Sequence, residues 1–535
     1  MNPSSALRTG GRMLWERSAS VIPVYLLVSG LYGVARVPLL LAALLALWLA
    51  ASSGRLQPFV DALRDAASDS APPASGDGSG SVDLGAVDPD QLGPGLDDAV
   101  ANLLTPDIVG LVLLGVFLSV LLSVVVSAVG GAAAISTVFG LLKDEDGVLA
   151  AVEGAGTYWR SFLGVRVLFL AALAIVLVPI GAAIVWAVGS VVGASTGGVA
   201  ASPSASAAAG PSSEASVLAL AVVGIGSIVA FVAVLVVFLL FAFAEQAVVV
   251  DDVGAVAAVR RSVRFPFRRP AAFLGYVVVA FGALVVTGSV AGVASVAGAT
   301  RVTGLVSAIV VPPVLDGFKT SLYAERPLPP TLEVAPPGDR LRSAFGGGLR
   351  AVGGFVADRP LANVASLAIV LAGGAIGWRA TASLGVSLPV GSDVGNVFGA
   401  FPGGTFVNLA VNNWLVASDV AFSGLAAGIP AVVTLGFNGL IVGAVGGVFD
   451  PIAFLALVAP HGVVEIPALV VGGGLGLWLG GVGLGAARGR LVADEVASAI
   501  RRTYRVLLGL VPLFVLAAFI EAFLTPAIAS LVLTG

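Results

Sequence analysis

The chain has no cysteine, one histidine (His461), two lysines (Lys143 and Lys319) and only 11% charged residues over 535 positions. Without cysteine there are no disulfides, iron–sulfur clusters or thiolate zinc sites. One histidine excludes a histidine-rich metal centre. Soluble domains carry about a quarter charged residues, so the shortage of charge excludes an ordinary soluble fold. There is no P-loop and no lipase-type serine elbow. The one fragment resembling a dinucleotide fingerprint, Gly472–Gly476, lies within an apolar run that no phosphate reaches. No catalytic residue, metal, cofactor or nucleic-acid partner is expected.

What the chain does have is apolar length. Hydrophobic residues make up 58% of it, and the mean hydropathy is +1.04. Lipid cannot satisfy exposed backbone polar groups, so long apolar runs without alternation must be helices rather than barrel strands. The expected fold is an all-α polytopic membrane protein whose bilayer is its principal partner. A span takes roughly 20 apolar residues. That ruler predicts about eleven, at 18–35, 107–129, 163–189, 216–243, 271–296, 303–323, 362–384, 406–427, 431–449, 463–486 and 506–531. Residues 37–51 form a further apolar run after Pro38, which is expected to kink or break the helix. No small-residue cleavage site soon follows the first span, so no cleavable signal peptide is expected.

Cytoplasmic loops retain positive charge. In an eleven-span arrangement only Arg55, Arg64 and Arg301 fall outside, Arg36 falls at the edge of the first span and Arg166, Lys319 and Arg379 within spans; the other twenty of the 27 basic residues fall inside. This predicts the amino terminus inside and the carboxyl terminus outside. Before several in-to-out spans stands a short arginine-bearing amphipathic stretch: "ALRTGGRMLWERSA", "VAAVRRSVRFPFRRP", "LRAVGGFVADRP" and "DEVASAIRRTYR". Each reads as an elbow helix lying in the inner interface. The outer loop 52–106 is acidic and rich in Pro, Gly and Ser, a composition of disorder. Residues 326–344 form a Pro-rich cytoplasmic linker. The expected division is a six-span part, 1–325, the linker, and a five-span part, 345–535. The abundance of arginine over lysine, the aspartate-rich loops and the pI near 5.2 fit a salt-adapted organism.

Ionisable groups within membrane helices are site candidates by default. Arg379 and Glu521 lie at similar expected depth, which allows the two to pair. In the eighth segment Asn408, Asn412 and Asp419 share a helix face, with Asn413 beside them. Asn438, before a glycine, predicts a local break or close packing. The plainer reading of these groups is interhelical hydrogen bonding. Asp316 and Lys319 are spaced for a local ion pair. Gly472, Gly476 and Gly480 recur every fourth residue, the pattern that lets membrane helices approach closely. His461 and Glu465 lie one turn apart on a helix predicted to open at Pro460. As a metal site the pair falls short, because zinc takes three or four protein ligands. A structural lock at a helix start, a proton-linked switch or relay, and a ligand contact are the readings it supports, the lock foremost.

The order "NLAVNNW", "TLGFNGLIVG", "APHGVVEIPALVVGGGLGLWLG" and "FIEAF" resembles the stage II sporulation protein M family over about 345–535. The run from Pro460 to Ala468, Pro-His-Gly-x-x-Glu-x-Pro-Ala, is its most specific part. The resemblance implies an integral membrane protein without catalytic activity, acting in sporulating bacteria as a scaffold for cell-wall hydrolases. The six-span part more loosely resembles the membrane domain attached to some glycerophosphodiester phosphodiesterases, without their catalytic residues. The expected function is a plasma-membrane scaffold or assembly factor with membrane or cell-envelope protein partners. The alternative is a transporter with a polar pathway through the last five spans.

Overall fold

The computed structural model describes residues 1–59, 61, 94–196, 213–330, 334–382 and 402–534. Among them the regular elements are helices: α1 (Pro3–Glu16), α2 (Ser18–Ser52), α3 (Pro94–Leu103), α4 (Pro106–Leu142), α5 (Gly147–Thr196), α6 (Ser213–Phe241), α7 (Ala244–Val250), α8 (Ala255–Arg268) and α9 (Pro270–Val296). They continue as α10 (Arg301–Ile309), α11 (Val311–Ala324), α12 (Pro337–Asp358), α13 (Pro360–Ala382), α14 (Gly403–Ser423), α15 (Ile429–Val448), α16 (Pro451–Ala487) and α17 (Ala493–Phe519). A π-helical turn, Ile520–Leu524, joins α17 to α18 (Thr525–Thr534).

Ten helical runs among the described residues are long and apolar enough to cross a membrane, against about eleven expected. The difference is α14, which is helical over the expected eighth span but less apolar, because it carries Asn408, Asn412, Asn413 and Asp419. The sixth expected span is split at Val310, where Pro312 and Pro313 end the run of backbone donors. Pro38 does not break the first span. Its missing N–H removes the ordinary bond to the Val34 carbonyl, and the Leu39 N–H bonds to Ser119 Oγ at 3.1 Å, yet the helix runs on for 35 residues. At 1.5 Å per residue α2 is about 50 Å long, well over the ~30 Å hydrocarbon thickness.

Three of the four expected elbows are separate helices, α1, α8 and α12. Each ends at an arginine with non-helical backbone, Arg17, Arg269 and Arg359. In two of them the arginine precedes a proline, Pro270 or Pro360, which bars the helical region to the residue before it and opens the next helix. The fourth, from Ala493, runs without a break into α17. The disorder expected of loop 52–106 falls mostly on 62–93, outside the described residues, and the loop's last part is α3. Within the expected linker, 331–333 lie outside the described residues and α12 already starts at Pro337.

The two expected parts share one apolar core. Val24, Leu26 and Leu27 of α2, Ala133 of α4 and Val148 of α5 pack in one cluster with Phe355, Trp414, Phe422, Leu475 and Leu507 of the later helices. At one end of the bundle, polar contacts cross between the parts. Asp146 caps α5, accepting from the Val148 and Leu149 N–H groups at 2.9 and 3.0 Å, and takes Arg501 Nη1 at 2.8 Å. From the stretch expected as linker, Arg340 donates to Ser18 Oγ at 2.7 Å.

Candidate functional site

The polar residues of the last helices do not form one cluster. α14 is central, packed on α2, α16 and α17, and its polar groups serve different neighbours. Asn408 accepts from the Arg301 N–H at 2.9 Å and donates to the Gly298 carbonyl, tying down the turn before α10. Asn412 donates to Asn413 Oδ1 at 3.2 Å. Asp419 forms an ion pair with Arg36 of α2 at 3.7 Å, across the two parts. Trp414 donates its indole N–H to the Leu507 carbonyl at 2.8 Å within the core. Asn438 bonds back to the Thr434 carbonyl at 2.9 Å and α15 does not break there. Close packing is what the Asn-Gly pair accompanies: a Cβ at Gly439 would overlap the Val370 carbonyl of α13.

Glycine carries the closest helix approaches. Along α13 and α15, Gly373 and Gly377 face Gly436 and Leu440, and Gly443 faces Gly374, backbone against backbone. Gly472, Gly476 and Gly480 are buried on α16. A Cβ at Gly472 would stand 3.0 Å from that of Ala417, one at Gly476 2.5 Å from the Val420 carbonyl, and one at Gly480 2.5 Å from the Gly428 nitrogen. The α13–α15 glycines follow the same four-residue spacing, in "GGAIG" and "NGLIVGAVGG". Their spacing signal is as plain in the sequence as that of Gly472, Gly476 and Gly480, and it lies beside Asn438.

The Arg379–Glu521 pair that depth allows is not formed among the described residues. α13 packs on α15 and α16, whereas the π-helical turn bearing Glu521 packs on α14, α16, α17 and α18. Glu521 joins His461 and Glu465 instead: one ligand-type atom from each of the three lies within 4.8 Å of the others. All three are half-buried. His461 Nδ1 and Glu465 Oε2 are buried without a hydrogen-bond partner.

The backbone explains how they meet. α16 does not open at Pro460; Asp450 caps it with 2.9 and 3.0 Å bonds from Ile452 and Ala453, and it continues through Pro460 and Pro467. The two prolines take away the N–H partners of the Ala456 and Val463 carbonyls, so the stretch around His461 and Glu465 lacks two of its helix bonds. On the opposing segment, Pro526 has no N–H to return to the Ala522 carbonyl, and the chain widens just before it into the π-turn that presents Glu521. Ala456 and Leu457 of α16 then pack against Ala529 and Leu533 of α18.

A second polar group lies in the earlier helices, and no spacing signal announced it. Asp316 accepts from the Tyr25 hydroxyl at 2.8 Å and makes no ion pair with Lys319 among the described residues. Arg166 pairs with Glu245 at 2.6 Å. Gln246, fully buried beside them in sequence, has neither amide atom hydrogen-bonded. These residues come from α2, α5, α7 and α11, so only tertiary packing assembles them.

Comparison with known families gives one finding. Residues 366–526 match the family model described as Stage II sporulation protein M. The match covers less than a third of the chain and contains His461, Glu465, Glu521 and the glycines of α13, α15 and α16. The matched family is not a known enzyme family. No curated protein and no solved structure matches the chain.

Proposed function

We propose, starting from the stage II sporulation protein M match of the last helices, that this protein is a non-enzymatic scaffold or assembly factor in the cell membrane. Its partners are other membrane or cell-envelope proteins. The observation that carries this reading is the packing of the bundle. α13 and α15 touch backbone to backbone, α14 is held by α2, α16 and α17, and one core runs through both parts. A transporter alternates between two arrangements by rocking one part against another around a polar midplane site, and a core shared by both parts opposes such rocking. Two grooves of the bundle support the same reading. One is lined by Phe345, Phe406, Val511, Pro512, Val515, Leu516 and Phe519, the other by residues such as Ile429, Val432, Leu477 and Leu484. Both are apolar, and neither includes His461, Glu465 or Glu521.

The arginine distribution supports an amino terminus inside and a carboxyl terminus outside. Affinity purification of the full chain from its native membranes tests the function, with a stoichiometric partner as the expected result. Solute flux in proteoliposomes, together with repeated absence of any such partner, would refute the scaffold and favour transport.

A further inference from the structure

We propose that His461, Glu465 and Glu521 form a binding site for a single divalent transition-metal ion of the zinc class, which clasps α16 to the π-helical turn before the last helix. Three observations converge on it.

The first is geometry. His461 and Glu465 occupy positions i and i+4 of one helix, the spacing that turns two side chains to one side. Glu521 supplies a ligand from another element, and the three candidate atoms lie within 4.8 Å of one another. A tetrahedral ion with bonds of about 2.0–2.2 Å to nitrogen and oxygen holds its ligand atoms about 3.3–3.6 Å apart. A small side-chain adjustment closes the remaining distance, and the fourth position is left to water or a further ligand.

The second is charge. Two carboxylates face each other inside an apolar bundle, and among the described residues no arginine or lysine forms an ion pair with either. Charges within membrane helices face the bundle interior or a water-filled cavity and pair with one another or with backbone carbonyls. An isolated pair of like charges there is costly. A bound divalent cation removes that cost.

The third is unmet bonding capacity. His461 Nδ1 and Glu465 Oε2 are shielded from solvent and have no hydrogen-bond partner. Thr525 Oγ1, four residues beyond Glu521, is buried in the same condition. Thirteen buried side-chain polar atoms among the described residues share this condition; the two of His461 and Glu465 belong to side chains that one ion could bind together. One imidazole and two carboxylates suit a borderline divalent ion; the absence of thiols argues against a soft one.

The site is independent of the partner reading, and its test does not depend on it. The full chain, purified through a tag without histidine and reconstituted in lipid nanodiscs, is stripped with chelator and titrated with Zn²⁺. Metal content is measured by elemental analysis, and Co²⁺ replaces Zn²⁺ for its electronic spectrum. The expected result is one metal per chain, a higher thermal midpoint on loading, and a Co²⁺ spectrum of nitrogen and oxygen coordination. His461→Ala and the isosteric Glu465→Gln and Glu521→Gln should each weaken binding at least about tenfold, since even outer-shell changes cost that much. Glu153→Gln, an exposed acid elsewhere, should bind as the parent does. Gel filtration and the midpoint without metal show that each variant is folded. Equal binding by parent and all three site variants overturns the proposal. So does a parent that binds neither ion, which would leave a proton shared by the two carboxyl groups as what occupies the pair.

Discussion

Gly443→Ala tests whether backbone contact between α13 and α15 holds the later helices together. An added Cβ at Gly443 overlaps the carbonyl oxygen of Gly374 and stands 2.6 and 2.7 Å from its carbonyl carbon and Cα. Carbon atoms pack at about 3.5–4.0 Å. No flexible side chain can yield, so the two helices must separate by roughly 1 Å, the shortfall from that packing distance. Overpacking of this kind costs about 1–3 kcal/mol. Separation also weakens the neighbouring approaches of Gly373, Gly377 and Gly439 to facing carbonyls, each such Cα–H···O contact contributing about 0.5–1 kcal/mol. The expected loss is roughly 3 kcal/mol.

The assay is reversible unfolding in lipid-like micelles, with Gly282→Ala as the comparison. A Cβ at Gly282 meets nothing within 4 Å, and alanine favours helix over glycine by up to about 1 kcal/mol. Gly282→Ala should therefore be neutral or stabilising. If Gly443→Ala lies within about 0.5 kcal/mol of it, the ordinary range for a surface change, the argument from backbone contact is refuted.

Trp414→Phe removes the donor to the Leu507 carbonyl and leaves space in the shared core; the same unfolding assay should register a loss of about 1–3 kcal/mol. Asp146 gives a pH prediction. Burial works to raise its carboxyl, but bonds from the Leu149 N–H, Arg501 and the Val148 N–H outweigh it, and the group is held below its ordinary range. Its folded form is therefore the more acidic one. The stability it supplies is present above the usual carboxylate pKa and disappears as pH falls through the lower folded value. Asp146→Asn keeps a capping oxygen but loses the charge that holds Arg501, so it should flatten the acid side of a stability-against-pH curve and cost about 0.2–1 kcal/mol at neutral pH. An acid limb unchanged by the substitution would show that Arg501 and the cap do not act through this carboxylate.

Much of the architecture was legible from composition and apolar length, because lipid leaves the backbone only one way to satisfy itself in such runs. The elbows at Arg17, Arg269 and Arg359 were legible for a related reason: charge seeks the interface and proline restrains the residue before it. Less legible were the elements where a local signal competes with packing. Pro38 and Pro460 read as breaks, yet both lie inside continuous helices, since neighbouring helices stabilise a run that has lost a single bond.

The candidate site divides along the same line. The i, i+4 spacing of His461 and Glu465 belongs to the chain, as does the spacing of Gly472, Gly476 and Gly480. That Glu521 is their third member, and Arg379 is not its partner, belongs to the tertiary structure. The expected depth of the two residues allowed them to pair, but depth says nothing of which helices are neighbours. The packing of α13 on α15 and of α18 on α16 decides it. Helix neighbours in a bilayer are chosen by shape, by where glycine lets backbones meet, and that is a property of two surfaces rather than of either sequence segment.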